Sequence, residues 1–272
     1  MTRKKFIAIT TILSAFLIAL PFVCNEELLE VRYTFVTDKI QSPIKLAFIS
    51  DLHNTKYGSG MSELIQSIDS FSPDAVLFGG DLFDKVWGEP YSVMLVKELV
   101  SRYKCLYSLG NHEFNHFDSD RIKCEMTRLG VKVLDGKYED IHASGSTVRI
   151  AGIDGTEWRQ QLRAVQEAID TNVPNILLNH YPEDFPLLSE MNFDLILVGH
   201  AHGGQWRLPP FINGLYSPGE GFFPKYAGGR YSDNGTEMIV SRGLQRCALD
   251  ILFPRIFNRP EMVFITLMPS KE

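Results

Sequence analysis

The chain has 272 residues, 44% apolar and 22% charged, and a net charge of −6. That balance excludes a low-complexity or disordered chain, and the acidic surplus gives no basic face for nucleic acid while suiting a site that binds cations. The four cysteines, Cys24, Cys105, Cys124 and Cys247, include no C-x-x-C pair, which excludes zinc-ribbon chemistry.

In chain order, Arg3, Lys4 and Lys5 precede an uncharged apolar run over residues 6–23. Eighteen such residues reach the lower limit for spanning a bilayer, and the basic flank should stay in the cytoplasm. The residues before Cys24 are not the small ones that signal peptidases prefer, which favours an uncleaved membrane anchor over residues 1–24, with a cleaved signal peptide and a secreted chain as the alternative. The rest of the chain would then lie on the extracytoplasmic side.

Residues 25–43 read as a linker with an edge strand, because residues 31–36 alternate between apolar and polar. One domain over residues 44–270 follows. Buried strands are predicted at 44–50, 75–78 and 105–109, with further strands at 131–134 and 147–153 and in the runs ending at His180 and His200. Amphipathic helices are predicted over 61–71, 91–103, 121–129 and 158–169. Alternation of strand and helix implies an α/β fold whose site lies at the carboxyl ends of strands. After residue 203 Gly, Pro and aromatic residues dominate, and residues 238–240 and 262–267 read as strands of an antiparallel second sheet. Cys105 should pack as a small hydrophobe, and a Cys105–Cys124 disulfide is open outside the cytoplasm.

One arrangement recurs. A short apolar run ends in Asp51-Leu52-His53, another in Gly80-Asp81, and others in Gly110-Asn111-His112-Glu113, His180 and Gly199-His200-Ala201-His202. Five of the seven histidines fall directly after a predicted strand, which leaves only His116 and His142 elsewhere. Oxygen and imidazole donors without thiolate suit divalent Mn, Fe, Ni or Zn. Asp51, His53, Asp81, Asn111, His180, His200 and His202 exceed what one ion takes, so two ions sharing Asp81 are expected, a pairing suited to in-line displacement at phosphorus.

These five motifs, in this order over residues 44–267, resemble those of the calcineurin-like metallophosphoesterases. The resemblance implies a four-layer αββα sandwich in which Asp51, His53, Asp81 and His202 hold one ion while Asp81, Asn111, His180 and His200 hold the other. It also implies that His112 orients the phosphate and acts as general acid, with Asp84 and Glu113 supporting the ligands.

Lys85 and Val86 stand where the protein Ser/Thr phosphatases carry Arg, and Asp84 stands where purple acid phosphatases carry a Tyr ligand. His202-Gly203-Gly204-Gln205, Ser241-Arg242-Gly243 and the N-terminal run make the chain most similar to bacterial membrane-associated phosphodiesterases of the YaeI/YkuE-like group. The expected activity is hydrolysis of a phosphodiester or pyrophosphate by metal-bound hydroxide, on a lipid-linked or nucleotide substrate. A UDP-2,3-diacylglucosamine-type pyrophosphatase and a noncatalytic binding scaffold are the alternatives. Between residues 219 and 231, Phe222, Phe223, Lys225, Tyr226 and Arg230 mix aromatic and basic groups, and Lys225 or Arg230 is expected to meet a phosphoryl oxygen.

Overall fold

A computed structural model describes residues 24–84, 89–116, 118–155, 157–246 and 255–270. The apolar run over residues 6–23 lies outside them, and among the described residues no helix is long and apolar enough to cross a membrane.

The first sheet is built from β1 (Leu29–Thr37), β2 (Ile44–Ile49), β3 (Ala75–Phe78), β4 (Lys104–Tyr107), β5 (Lys132–Val133) and β14 (Glu261–Pro269), in the order β1-β14-β2-β3-β4-β5. The second contains β6 (Tyr138–Ala143), β7 (Ser146–Gly152), β8 (Asn175–Leu178), β9 (Leu195–Val198), β12 (Gly229–Asp233) and β13 (Thr236–Val240), in the order β12-β13-β9-β8-β7-β6. A short hairpin, β10 (Tyr216–Ser217) and β11 (Gly221–Phe222), stands apart from both.

Side-chain alternation along each strand divides the core into layers. Leu46 and Phe48 of β2, with Leu77 and Leu106, face Ile150, Ile176, Leu197 and Ile239 across the space between the sheets. The intervening Ala47 and Ile49, with Val76, Phe78 and Cys105, point outward. There they meet α1 (Ser62–Phe71), α2 (Pro90–Val100) and α4 (Ser119–Leu129), the last preceded by the short α3 (Asn111–His116), through Leu64, Ile68, Leu95, Leu99, Ile122 and Met126. On the far side α5 (Trp158–Glu167) and α6 (Phe185–Leu188) cover Leu177, Ile196, Val198 and Met238 with Leu162, Val165, Phe185 and Leu188. Helices thus close both outer faces of a pair of sheets.

Helix ends follow local chemistry. Ser72 leaves α1 in the left-handed conformation just before Pro73, which cannot continue the helix. Asp118 caps α4 by accepting the N–H groups of Asp120 and Arg121, and Gly130 ends it at φ 101°.

One sequence expectation is corrected, and one question the sequence left open is decided. Residues 238–240 and 262–267 do not share an antiparallel sheet. β13 joins the second sheet parallel to β9, whereas β14 enters the first between β1 and β2, parallel to one and antiparallel to the other. Apolarity marks a strand but not its neighbour, and residues 262–265, buried on both faces, fit the interior of either sheet. Cys105 and Cys124 are free thiols, Cys105 buried in the helix-side core and Cys124 exposed.

β2, β3 and β4 end in step, with Ile49 opposite Phe78 and Phe78 opposite Tyr107, so the loops after them leave from one edge. β8 and β9 end together likewise, with Leu178 opposite Leu197.

Candidate metal centre

The loops from these two sheet ends interlock. His200 N–H donates to Asp51 Oδ1 at 3.0 Å, and the His180 Nδ1–Gly79 carbonyl contact is 2.8 Å. Asp51, His53, Asp81, His200 and His202 all have positive φ, between 45° and 66°. Left-handed backbone is costly for such residues and clusters at functional sites. Here it turns the chain sharply as each strand ends, which aims the side chains inward. Neighbouring glycines make room, because a Cβ at Gly199 would overlap the Asp51 carboxylate and one at Gly110 would overlap that of Asp81.

Among the described residues, three overlapping groups place possible ligand atoms within 4.8 Å of one another: Asp51 with His53 and His202, Asp81 with His180 and His200, and His53 with Asp81 and His112. Asp81 Oδ2 stands between the two main groups, 3.2 Å from His180 Nε2 and 3.7 Å from His53 Nε2. Asp51 Oδ1 is 3.6 Å from His202 Nε2 and 3.9 Å from His180 Nε2.

The donor set fits divalent cations. Asp51 Oδ2, Asn111 Oδ1, His53 Nε2 and His180 Nε2 are buried without a hydrogen-bond partner, a costly state that an ion would relieve. With His180 Nδ1–H donated to the Gly79 carbonyl, Nε2 is the ring nitrogen that faces the cluster, the usual arrangement of a ligating imidazole.

The electrostatic field agrees. Burial works against a charged His180, yet Asp81 and Asp51 lift its pKa to about 10. Burial likewise opposes charging of His53, but Asp84, Asp81 and Asp51 raise its pKa. Burial alone would raise Asp81, but His180 and His53 draw it well below the usual carboxylate range. Burial raises Asp51 against the pull of His180. The centre therefore attracts positive charge. His200 is pushed down to about 3 by burial and His180, and His202 far down by burial and His53, so both are neutral imidazoles able to ligate.

His112 sits at the margin, partly exposed, with its backbone N–H donated to Asp81 Oδ1 at 2.8 Å and its ring edge-on to His53 at 4.4 Å. Asp84 Oδ2 lies 3.4 Å from His53 Nδ1 and 3.6 Å from His112 Nδ1, so one buried carboxylate orients both rings. Glu113 serves backbone rather than imidazole. It is fully buried and accepts the backbone N–H groups of Asp81, Leu82, Phe83 and Gly110.

Lys225 and Arg230 occupy other positions. Arg230 pairs with Glu237 and donates to the Thr34 carbonyl at the sheet edge, and the exposed Lys225 Nζ lies 4.7 Å from the Tyr226 ring centroid. The structure does not bring either into the carboxylate–imidazole cluster.

Sequence reasoning missed several residues beside the centre. Asn54 Oδ1 accepts Tyr91 and Ser92 N–H groups, fixing the start of α2 against the first loop; its position next to His53 could have signalled it. Tyr181 packs edge-on to His200 at 4.9 Å. Asn258 Nδ2 donates to the His202 and Gln205 carbonyls at 2.7 and 3.1 Å, and Arg255 is buried with neither Nη partnered. Nothing in the local sequence marks those two.

Residues 44–204 match the calcineurin-like phosphoesterase family model. The chain belongs to the calcineurin-like phosphoesterase family. As a member it is a hydrolase acting on phosphoester bonds. Its relatives include the phosphodiesterase YaeI of Escherichia coli, 28% identical over 89% of this chain and 88% of that protein. The metallophosphoesterase YkuE of Bacillus subtilis is 28% identical over 82% of this chain and 78% of its own length. The metallophosphoesterase Cj0846 of Campylobacter jejuni is also 28% identical, over 85% of this chain but 61% of its own length. Among solved structures, Haemophilus influenzae NAD nucleotidase (NadN) superposes with a TM-score of 0.51 at 14% identity, covering 75% of this chain and 46% of that one, which speaks to the fold alone. The matched segment of this calcineurin-like phosphoesterase ends at Gly204, so β13, β14, Arg255 and Asn258 lie beyond it.

Proposed function

We propose that this calcineurin-like phosphoesterase is a binuclear enzyme that cleaves a phosphodiester or pyrophosphate. In this reading Asp51, His53, Asp81 and His202 hold one divalent ion, and Asp81, Asn111, His180 and His200 hold the other. The observation that carries it is the position of Asp81 Oδ2 between His180 Nε2 and His53 Nε2, where a single carboxylate can serve both ligand groups. When bound, the ions would polarise a phosphoryl oxygen and lower the pKa of the attacking water.

The chain's own residues supply the rest. Glu113 fixes the backbone of the loops that present Asp81 and Asn111. The Gly79 carbonyl sets the His180 tautomer, and the Asn258 amide restrains the turn that carries His202. In this reading His112, outside the main ligand groups and partly open to solvent, gives a proton to the leaving oxygen, with Asp84 Oδ2 3.6 Å from its Nδ1.

The test uses the purified full chain with bis-p-nitrophenyl phosphate, with and without Mn²⁺. Turnover is expected to require the metal, and Asp81→Ala is expected to abolish both turnover and the Mn²⁺ binding isotherm. Wild-type turnover in Asp81→Ala would end this assignment.

A further inference from the structure

Residues 205–228 leave the His202–Gly204 turn and return to β12 carrying large apolar side chains that the fold leaves exposed. Phe211, Phe222 and Phe223 are 84%, 73% and 67% exposed, with Leu208 and Tyr216 beside them in sequence. Their backbone is held in place: Leu208 N–H donates to Ile212, Leu215 N–H to Gly204 and Trp206, and Phe223 N–H to Leu215. The Tyr216 and Phe222 rings lie 5.4 Å apart across β10 and β11. Exposed phenylalanine gains by leaving water, so a fixed, water-facing set of three points to an apolar phase that receives it.

The N-terminal sequence says which phase. The uncharged run over residues 6–23 has bilayer-spanning length. Just beyond it the chain is fastened beside the metal centre. Arg246 Nε donates to the Glu26 carbonyl, and Arg259 donates to the carbonyls of Glu27 and Leu28. Leu29 then pairs with Glu261, whose N–H donates to Gly243, and a Cβ on Gly243 would lie 2.6 Å from Asp51 Cβ. Three residue steps from Val23 to Glu26 reach at most about 11 Å. A run seated in a bilayer therefore keeps this end of the sheets at the membrane surface. The aromatic excursion leaves from that same end.

We propose that the 205–223 excursion is a bilayer-docking surface whose phenylalanines enter the headgroup boundary, turning the metal centre toward the membrane. Residues 205–228 carry only Arg207, Glu220 and Lys225 as charged groups, so insertion is driven by apolar area rather than by lipid charge. Together with the phosphoesterase reading, on which this consequence rests, docking implies a phosphate ester carried at a lipid surface.

The test is fluorescence of the full chain reconstituted in phosphatidylcholine vesicles with plain or brominated acyl chains, for Phe222→Trp and, as control, Val36→Trp. Val36 is 60% exposed and lies seven residues along β1 from Leu29, roughly 23 Å from the docking end. After subtraction of the parent chain's signal, brominated lipid should remove roughly half or more of the Phe222→Trp emission, at low and high salt alike, and leave Val36→Trp unchanged. Equal emission from Phe222→Trp in both vesicles, or equal quenching at the two positions, would overturn the proposal. Quenching does not depend on turnover, whereas bis-p-nitrophenyl phosphate hydrolysis by the same samples reads the phosphoesterase assignment separately and shows that Phe222→Trp is folded.

Discussion

Glu113 Oε2 accepts the backbone N–H of Asp81 at 2.9 Å. The same oxygen takes the N–H of Gly110 at 2.7 Å, while Oε1 takes those of Leu82 and Phe83 at 2.8 and 3.2 Å. One buried carboxylate thereby ties the loop after β3 to the loop after β4, the two that present Asp81 and Asn111. It also provides acceptors for four N–H groups that strained, non-repetitive backbone would otherwise leave unmatched.

Glu113→Gln places an amide NH₂ where one oxygen accepts two N–H groups. Two buried donors then lose their partner, at a combined cost of about 2–6 kcal/mol. The urea midpoint should fall with an unchanged slope, and Mn²⁺ should bind more weakly. A wild-type midpoint would show that Glu113 is not what holds the loops.

His112→Ala should leave the Mn²⁺ isotherm intact and lower turnover by about 10²–10⁴-fold on alkyl leaving groups, with a smaller loss on p-nitrophenolate, which needs no proton. Asp84→Asn should fall between this variant and wild type, because His112 survives but its Nδ1 partner is weakened. Since His112 also lies within ligand distance of His53 and Asp81, an isotherm that loses a site in His112→Ala would place it among the ligands instead.

Chelation should destabilise the protein, because the proposed ions would hold together two buried carboxylates and four imidazoles drawn from both sheets. At Mn²⁺ a hundredfold above its Kd, one site adds about 2.7 kcal/mol. For a chain of this size that corresponds to a rise in Tm of about 5–10 °C over the EDTA-treated protein. Asp81→Ala should show no such rise. An identical Tm with and without Mn²⁺ in wild type would argue against a bound ion.

Away from the centre, Arg149 on β7 makes a bidentate pair with Asp140, its partner directly across on β6, at 2.8 and 2.9 Å. The Arg149 hydrogen bond holds the Asp140 pKa below its ordinary 3.8. A depressed folded-state pKa contributes stability above the unfolded value and loses it as pH falls through the folded one. Asp140→Asn should therefore cost about 0.2–1 kcal/mol near neutrality, and the difference should shrink as the pH falls below about 4. A difference that stays constant into acid would mean that packing, not charge, holds this pair.

The sequence by itself determined the candidate ligands and the elements that carry them. Asp51, His53, Asp81, Asn111, His180 and His200 were legible because each follows an apolar run within a few residues, so the strand and the donor lie in one window. The helices at 62–71 and 90–100 were legible for the same reason, since their apolar spacing is local. The tertiary structure decided what depends on distance along the chain. It put β14 between β1 and β2, brought Asp84 within reach of both His53 and His112, and gave Glu113 four backbone donors. It also carried Asn258 onto the His202 carbonyl, 56 residues away, and left three phenylalanines facing solvent. Hydrophobic periodicity records which face of a segment is buried. Which segment buries it is fixed only when remote stretches of chain meet.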